Sequence, residues 1–112
     1  MIIYFRTKKL QKACNSKSYS TRIYGPKMAS KLQQRLFELK AATCLYDISR
    51  KPPPRCHQLS GDREGQLSVD LEHPRRLYFI PANDPIPETK DGGLDWRNVT
   101  EIEITEIFNP HK

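Results

Sequence analysis

Apolar residues follow a helical spacing in the first half of the chain. Met28, Leu32, Leu36 and Leu39 recur at i, i+4, i+8 and i+11, which places their side chains on one face of an α-helix. Gly25-Pro26 precedes this run, and proline is favoured in the first turn of a helix. The pattern predicts an amphipathic helix that begins at residue 26 and ends near residue 42.

The remaining positions of this helix divide into two groups. Ala29 and Phe37 are expected to widen the apolar stripe, which should pack into the core. The other positions are polar and mostly basic, and are expected to form an exposed face: Lys27, Lys31, Gln34, Arg35, Glu38 and Lys40. A shorter helix is predicted over residues 8–15, followed by a loop at Asn15-Ser16-Lys17-Ser18.

Five runs have the residue types or the alternation typical of β-strands. The first is residues 2–5, which are β-branched or aromatic. The others are residues 56–60, 66–71, 76–80 and 99–108. In the last run Ile102 and Ile104 alternate with polar residues, but Ile107 falls on the other parity. This change indicates either a β-bulge or a strand that is apolar on both faces near its end.

The order of these elements predicts the fold class. A strand, two helices and then an antiparallel, three- to four-stranded twisted sheet make an α+β domain that spans residues 1–112, with the helices on one face. Residues 50–55 contain three consecutive prolines and should be extended. Residues 81–98 are rich in proline and glycine and should form a long loop that covers a sheet edge or contacts a partner.

Charge is distributed unevenly along the 112 residues. Residues 1–56 hold 13 lysines and arginines against two acids, a net charge of +11, whereas residues 57–112 hold six against 11, a net charge of −5. A basic half of this size suits either a solvated surface or a partner that carries phosphates or carboxylates.

The three cysteines and the N-terminus indicate the compartment. Cys14, Cys44 and Cys56 are odd in number and have no C-x-x-C spacing, so neither a disulfide framework nor a zinc site is expected. The N-terminal apolar run is too short for a secretion signal or a membrane span. We therefore expect a cytoplasmic protein with reduced thiols and no contact with the membrane.

A set of motifs in the second half resembles a known family. Leu59-Ser60-Gly61-Asp62-Arg63-Glu64-Gly65 begins two residues after His57 and is followed by Leu67-Ser68-Val69, Arg75-Arg76-Leu77-Tyr78-Phe79 and a terminal His111. This pattern is similar to the HigB branch of the RelE/ParE-type toxins, the killer proteins of plasmid-maintenance systems. The match covers most of the chain apart from the loop at 81–98.

The resemblance implies a fold, an activity and a partner. Its fold is the strand, two helices and twisted sheet already expected. Its activity is that of a metal-independent endoribonuclease, without a cofactor, that cleaves messenger RNA on the translating ribosome. Its partner is a helix-turn-helix antitoxin of the HigA kind, encoded beside the toxin gene.

The resemblance also assigns residues. The family's histidine before the turn falls on His57, its C-terminal histidine on His111 and its strand arginine on Arg76. Metal-free RNA cleavage needs a base, an acid and a cation, and imidazole changes protonation near neutral pH while arginine clamps phosphate. These three residues are the predicted catalytic set.

Other residues are predicted to bind RNA or phosphate. They are Arg63, Ser60 and Asn109 near the site and Lys8, Lys9 and Lys12 in the first helix, where contacts with ribosomal RNA would be insensitive to sequence. His73 precedes a proline in a turn and is expected to be inert. Tyr78 and Trp96 are expected to be core or loop anchors.

Two alternatives remain open. Ser60 stands where the family usually has lysine, and Asn109-Pro110 stand where it has Asp-Tyr. These departures favour a catalytically degenerate homologue or a ParE-like inhibitor that binds a protein target. A small RNA-binding domain without toxicity is the other alternative.

Overall fold

The computed structural model describes residues 1–110, which form an α+β fold. Its three helices are α1 (Lys8–Asn15), α2 (Lys17–Tyr24) and α3 (Pro26–Ala41). Its five strands are β1 (Ile2–Phe5), β2 (His57–Gln58), β3 (Leu67–Asp70), β4 (Arg76–Pro81) and β5 (Glu101–Phe108). No helix in this described part is long and apolar enough to cross a membrane.

The strands form one mixed sheet in the order β1-β5-β4-β3-β2. Strand β1 lies parallel to β5, and the other neighbours are antiparallel. The expected antiparallel sheet is found in β2 to β5, but β1 joins it as a fifth, parallel strand, which the prediction did not include. A parallel pair needs a crossover connection, and the long path from β1 through the helices to β5 supplies it. Strand β1 has only four residues, and their sequence does not indicate which strand β1 pairs with or in which direction.

The N-terminal region contains three helices, not two. Residues 15–18 were expected to form a loop, but Ser16 ends α1 and caps α2, because its side chain accepts a hydrogen bond from the Tyr19 amide at 3.2 Å. Gly25 then separates α2 from α3 with a φ of 87°, a conformation that glycine adopts without strain. A serine that looks like a break in helical periodicity is here the start of the next helix.

The core lies between α3 and one face of the sheet. The predicted stripe is confirmed, since Met28, Leu32, Leu36 and Leu39 are all buried. Against it pack alternating residues of the strands: Leu67, Val69, Leu77, Phe79, Ile102 and Ile104.

The bulge, one of two alternatives for β5, is confirmed. Tyr78 pairs with Glu106 but Phe79 pairs with Ile104, so Thr105 is the extra residue. The bulge lets both Ile104 and Ile107 face the core.

Two assignments on α3 are wrong. Phe37 does not widen the stripe but is 73% exposed, because nine residues after Met28 place it about 180° around the helix. Arg35 is not on the exposed face but only 2% exposed. Its Nε donates to the Asp70 carbonyl at 2.7 Å, and its Nη1 lies 3.3 Å from the Glu38 carboxylate. The arginine therefore joins the helix layer to the end of β3.

The loop at 81–98 has little regular structure, as predicted, apart from a short 3-10 turn at Trp96–Asn98 and one β-bridge between Glu88 and Leu94. Leu94 and Trp96 pack against the core. The Trp96 indole also donates to the Gln58 side chain at 3.3 Å. Since Gln58 belongs to the edge strand β2, the loop contacts this sheet edge through one side-chain hydrogen bond.

The Arg35 contacts predict a measurable contribution to stability. Arg35→Met keeps most of the buried volume but leaves the Asp70 carbonyl without its donor, so the free energy of unfolding should fall by about 2 kcal/mol. Urea denaturation measures this change. Glu38→Gln is the matched control and should cost under about 1 kcal/mol, because that carboxylate is partly exposed. A variant R35M as stable as the unmodified protein would contradict the assignment.

Candidate functional site

The sheet face opposite the helices carries polar side chains in two rows; we refer to it as the open face. The first row crosses four strands and consists of His57, Ser68, Tyr78 and Glu106. The second row consists of Asp70, Arg76 and Phe108, each two residues along its strand from a member of the first row. Cross-strand partners project on the same side of a sheet. The register therefore brings a histidine, a tyrosine and several charges together.

His57 lies at the edge of this face with one ring nitrogen fixed. Its Nδ1 is 3.0 Å from the Arg55 carbonyl, and a carbonyl only accepts, so the contact assigns the ring hydrogen to Nδ1. Nε2 then carries the lone pair and lies 3.5 Å from the Ser68 hydroxyl. Ser68 is fully buried and its hydroxyl is the donor that Nε2 faces, so a substrate hydroxyl has to replace this long contact before Nε2 can act as a base.

Two arginines converge on one carboxylate beside His57. Arg55 donates from Nε to Asp70 Oδ2 at 2.7 Å and from Nη2 to Oδ1 at 3.1 Å. These hydrogen bonds and the Asp70 charge raise the pKa of the Arg55 guanidinium above its ordinary value. Arg76 Nε lies 3.8 Å from the same Oδ1. The three side chains carry a net positive charge where the second row begins.

Arg55 also has an unusual backbone conformation. Its φ of 48° is positive, which is uncommon for a residue with a side chain and costs conformational energy. The same residue supplies the carbonyl that fixes His57 and the guanidinium that binds Asp70. The strained residue thus positions both the imidazole and one cation.

Arg63 covers the middle of the first row. Its guanidinium carbon lies 4.7 Å from the Tyr78 ring centroid and 5.0 Å from that of Phe108, and these rings stack at 4.9 Å. Its Nη1 is 3.0 Å from Glu106. The turn Gly61–Arg63 presents this side chain, and the exposed Ser60 precedes the turn. Arg63 is therefore both stacked and ion-paired on the open face.

The remaining predicted residues lie elsewhere. Lys8, Lys9 and Lys12 are exposed on α1, which packs against β1 and β5. Strand β5 is three strands from His57 on β2, about 14 Å away at ordinary strand spacing. Asn109 follows β5 and lines a groove with Arg75 and Phe108. His111 lies outside the described residues. The structure thus brings His57, Arg63 and Arg76 to one face and places the lysines apart.

No group of three potential metal ligands occurs within residues 1–110. The two buried cysteines do not contribute a reactive thiolate either. Burial raises the pKa of both Cys14 and Cys56 to about 12, so these thiols stay protonated at neutral pH. The chemistry available on this face is that of imidazole, guanidinium, hydroxyl and carboxylate groups.

The sequence prediction missed Arg55 and Asp70. The sequence spacing could have placed both residues on the polar face of the sheet. Arg55 lies two residues before His57, and Asp70 lies between the apolar residues Val69 and Leu71. Residues of equal parity share a strand face. The pairing between the two strands, which the sequence does not specify, is what brings them together.

Two comparisons with known proteins bear on this geometry. No protein-family model matches the chain, and no curated protein is significantly similar to it. A function must therefore be argued from the residues of the open face and from the motifs around them.

Proposed function

We propose that this protein is a toxin of the HigB kind within the RelE/ParE-type fold, an endoribonuclease that cleaves messenger RNA on the ribosome. The observation that carries the proposal is the open face, where His57, held through Nδ1 by the Arg55 carbonyl, shares one side of the sheet with the Arg55-Asp70-Arg76 cluster. Support also comes from the strand-helix-sheet order and from the basic first half of the chain.

In the proposed reaction His57 is the general base. Nε2 accepts the proton of a ribose 2′-hydroxyl, and the 2′-oxygen attacks the adjacent phosphorus. The bond to the 5′-oxygen of the next nucleotide breaks, leaving a 2′,3′-cyclic phosphate and a 5′-hydroxyl. His111 is proposed to supply the proton for the leaving oxygen. The Arg55 carbonyl keeps the His57 ring in the tautomer that this step requires.

The arginines are proposed to bind the phosphate during this reaction. Arg76 is only loosely paired with Asp70, at 3.8 Å, so its guanidinium retains donors for a phosphate oxygen. Arg55 is held more firmly and acts as a positioning residue. Negative charge that develops on the phosphorane would be stabilised by Arg76, and a stacked Arg63 would add a second cation.

A second candidate is a non-catalytic inhibitor of the same fold that binds a protein target. Three features favour it. Arg63 is paired with Glu106, Arg76 faces Asp70, and Ser60 and Asn109 replace residues that are usual in the catalytic family. These pairs lower the positive charge available to RNA.

His57→Ala separates the two candidates. Loss of the general base should slow message cleavage by about 10²–10⁴-fold and relieve the growth arrest caused by induced expression. Primer extension on a defined message, with ribosomes present, measures the cleavage. The control is Gln34→Ala, since Gln34 is exposed on α3, on the other side of the sheet, and its loss should leave cleavage unchanged. Intact message together with blocked DNA replication would favour the protein-binding inhibitor.

The lysines of α1 are proposed to contact ribosomal RNA away from the cleavage site. Reversing Lys8, Lys9 and Lys12 to glutamate should weaken co-sedimentation with ribosomes at least about tenfold and reduce its dependence on salt. Reversing Lys27, Lys40 and Lys90 changes the net charge equally and should have a smaller effect. Equal losses for both triple variants would show that only net charge matters.

The proposed antitoxin has a surface to bind at the free edge of β5. Strand β1 pairs with β5 only as far as Ile104, and a groove lined by Lys9, Tyr19 and Ile23 runs beside the rest of β5. An unpaired strand edge accepts an extended peptide, and the surrounding basic helices favour an acidic one.

If the antitoxin binds at the free edge of β5, a mutation in the neighbouring groove should disrupt co-purification. The product of the neighbouring gene, co-expressed with this chain, should co-purify with it, and Ile23→Glu should release that product. Ile86→Glu is the control, because Ile86 is similarly exposed (52% against 45%) but lies in the loop at 81–98. Retention of the partner by the Ile23→Glu variant would place the contact elsewhere.

A further inference from the structure

Four side chains near the β2 edge form a stack that the proposed cleavage reaction does not use; we name it the arginine-aromatic ladder. The Arg97 guanidinium carbon lies 3.9 Å from the Tyr46 ring centroid. Arg50 lies 5.7 Å from the same ring and 4.2 Å from the Trp96 ring. Cations and rings therefore alternate in the order Arg97, Tyr46, Arg50, Trp96.

Both arginines of the ladder are exposed and lack acidic partners. Within residues 1–110 no carboxylate lies at ion-pair distance from Arg50 or Arg97. The two acids in the same segments are engaged otherwise. Asp47 accepts from the Thr43 and Cys44 amides, and Asp95 accepts from the Asn98 side chain at 2.6 Å. The ladder therefore presents two positive charges to solvent.

Backbone contacts hold the ladder beside His57. The amide of Leu45 donates to the Val99 carbonyl at 2.9 Å, which joins the two turns that carry Tyr46 and Trp96. The amide of Cys56 donates to the Ser49 carbonyl at 2.9 Å, so Arg50 lies at the base of the segment that ends in His57. Trp96 itself is hydrogen-bonded to Gln58. Gln58 projects from the face of β2 opposite to His57, so the ladder and the imidazole lie on the two sides of the same edge strand. An RNA strand that crosses this two-residue edge reaches both.

We infer that the ladder binds single-stranded RNA and holds the strand that runs past His57. A guanidinium stacked on a ring keeps its N–H donors at the rim, where they bind phosphate oxygens. Each side of the Tyr46 ring faces a guanidinium, but Arg97 is exposed and ends the stack, which leaves the outer face of its guanidinium for a base. Bases in a duplex have no free faces, whereas those of a single strand do. The chemistry therefore selects an unpaired strand over a duplex.

This inference rests on the proposed function, since its ligand is the proposed substrate. Binding to the ladder is nevertheless measured separately from cleavage. The test uses the full chain with His57→Ala and an oligouridylate of about eight nucleotides. Trp96 is the single tryptophan of the chain, so its fluorescence reports on the ladder directly. We expect the oligonucleotide to change this emission, and Arg50→Gln with Arg97→Gln to weaken binding at least about tenfold.

Salt dependence and a matched variant make the test specific. Loss of two phosphate contacts should reduce the slope of log affinity against log salt by about 1.4. Lys40→Gln with Lys90→Gln removes the same charge outside the ladder and should leave the slope nearly unchanged. Circular dichroism and the melting temperature show whether each variant is folded. A lower melting temperature with unaltered affinity would mean that the ladder only fastens the loop, which overturns the inference.

Competition identifies the ligand class. A duplex RNA of equal length, or a polyglutamate of equal charge, should displace the oligouridylate poorly. Equal displacement by either one overturns the assignment to single-stranded RNA. If growth arrest persists with His57→Ala while the double arginine variant loses binding, only the proposed catalysis fails. If His57→Ala abolishes cleavage while the double arginine variant binds normally, only the ladder assignment fails.

Discussion

Asp70 is the residue through which the helix layer, the sheet and the open face are connected. Its carbonyl accepts from the buried Arg35 of α3, and its amide donates to the Pro54 carbonyl. Its carboxylate binds Arg55 and faces Arg76. The backbone carbonyl of Asp70 thus binds a helix residue on the core side of the sheet, while its side chain contacts two arginines on the open face. A shift of α3 relative to β3 would therefore displace the residue that binds Arg55 and faces Arg76.

Strand alternation explains why these two roles do not interfere. Val69 and Leu71 point into the core on either side of Asp70, so apolar burial fixes the direction of the carboxylate. The bulge at Thr105 separates apolar from open-face side chains on β5 in the same way. It keeps Ile107 in the core while Glu106 and Phe108 stay on the open face. Packing of the hydrophobic core therefore sets the geometry of the polar rows.

The sequence predicts the elements whose apolar residues are strongly periodic. It does not predict features that depend on contacts between residues distant along the chain. The stripe of α3, the strand positions and the bulge alternative were all readable from spacing. The parallel partner of β1, the capping role of Ser16 and the burial of Arg35 were not, because each depends on a contact distant in sequence or on a backbone conformation. A polar residue within an apolar stripe is normally assigned to solvent; Arg35 is buried because Asp70 supplies an acceptor.

The shortness of β2 has a consequence for association between copies of the chain. An edge strand with unpaired amides and carbonyls is a template for another strand, and sheets that expose long edges tend to aggregate. Here the edge has two residues, is preceded by Pro52, Pro53 and Pro54, and is contacted by Trp96 through the Gln58 side chain. Prolines have no amide hydrogen to donate. The molecule therefore presents almost no template for polymerisation on this side, while a histidine remains accessible at the same position.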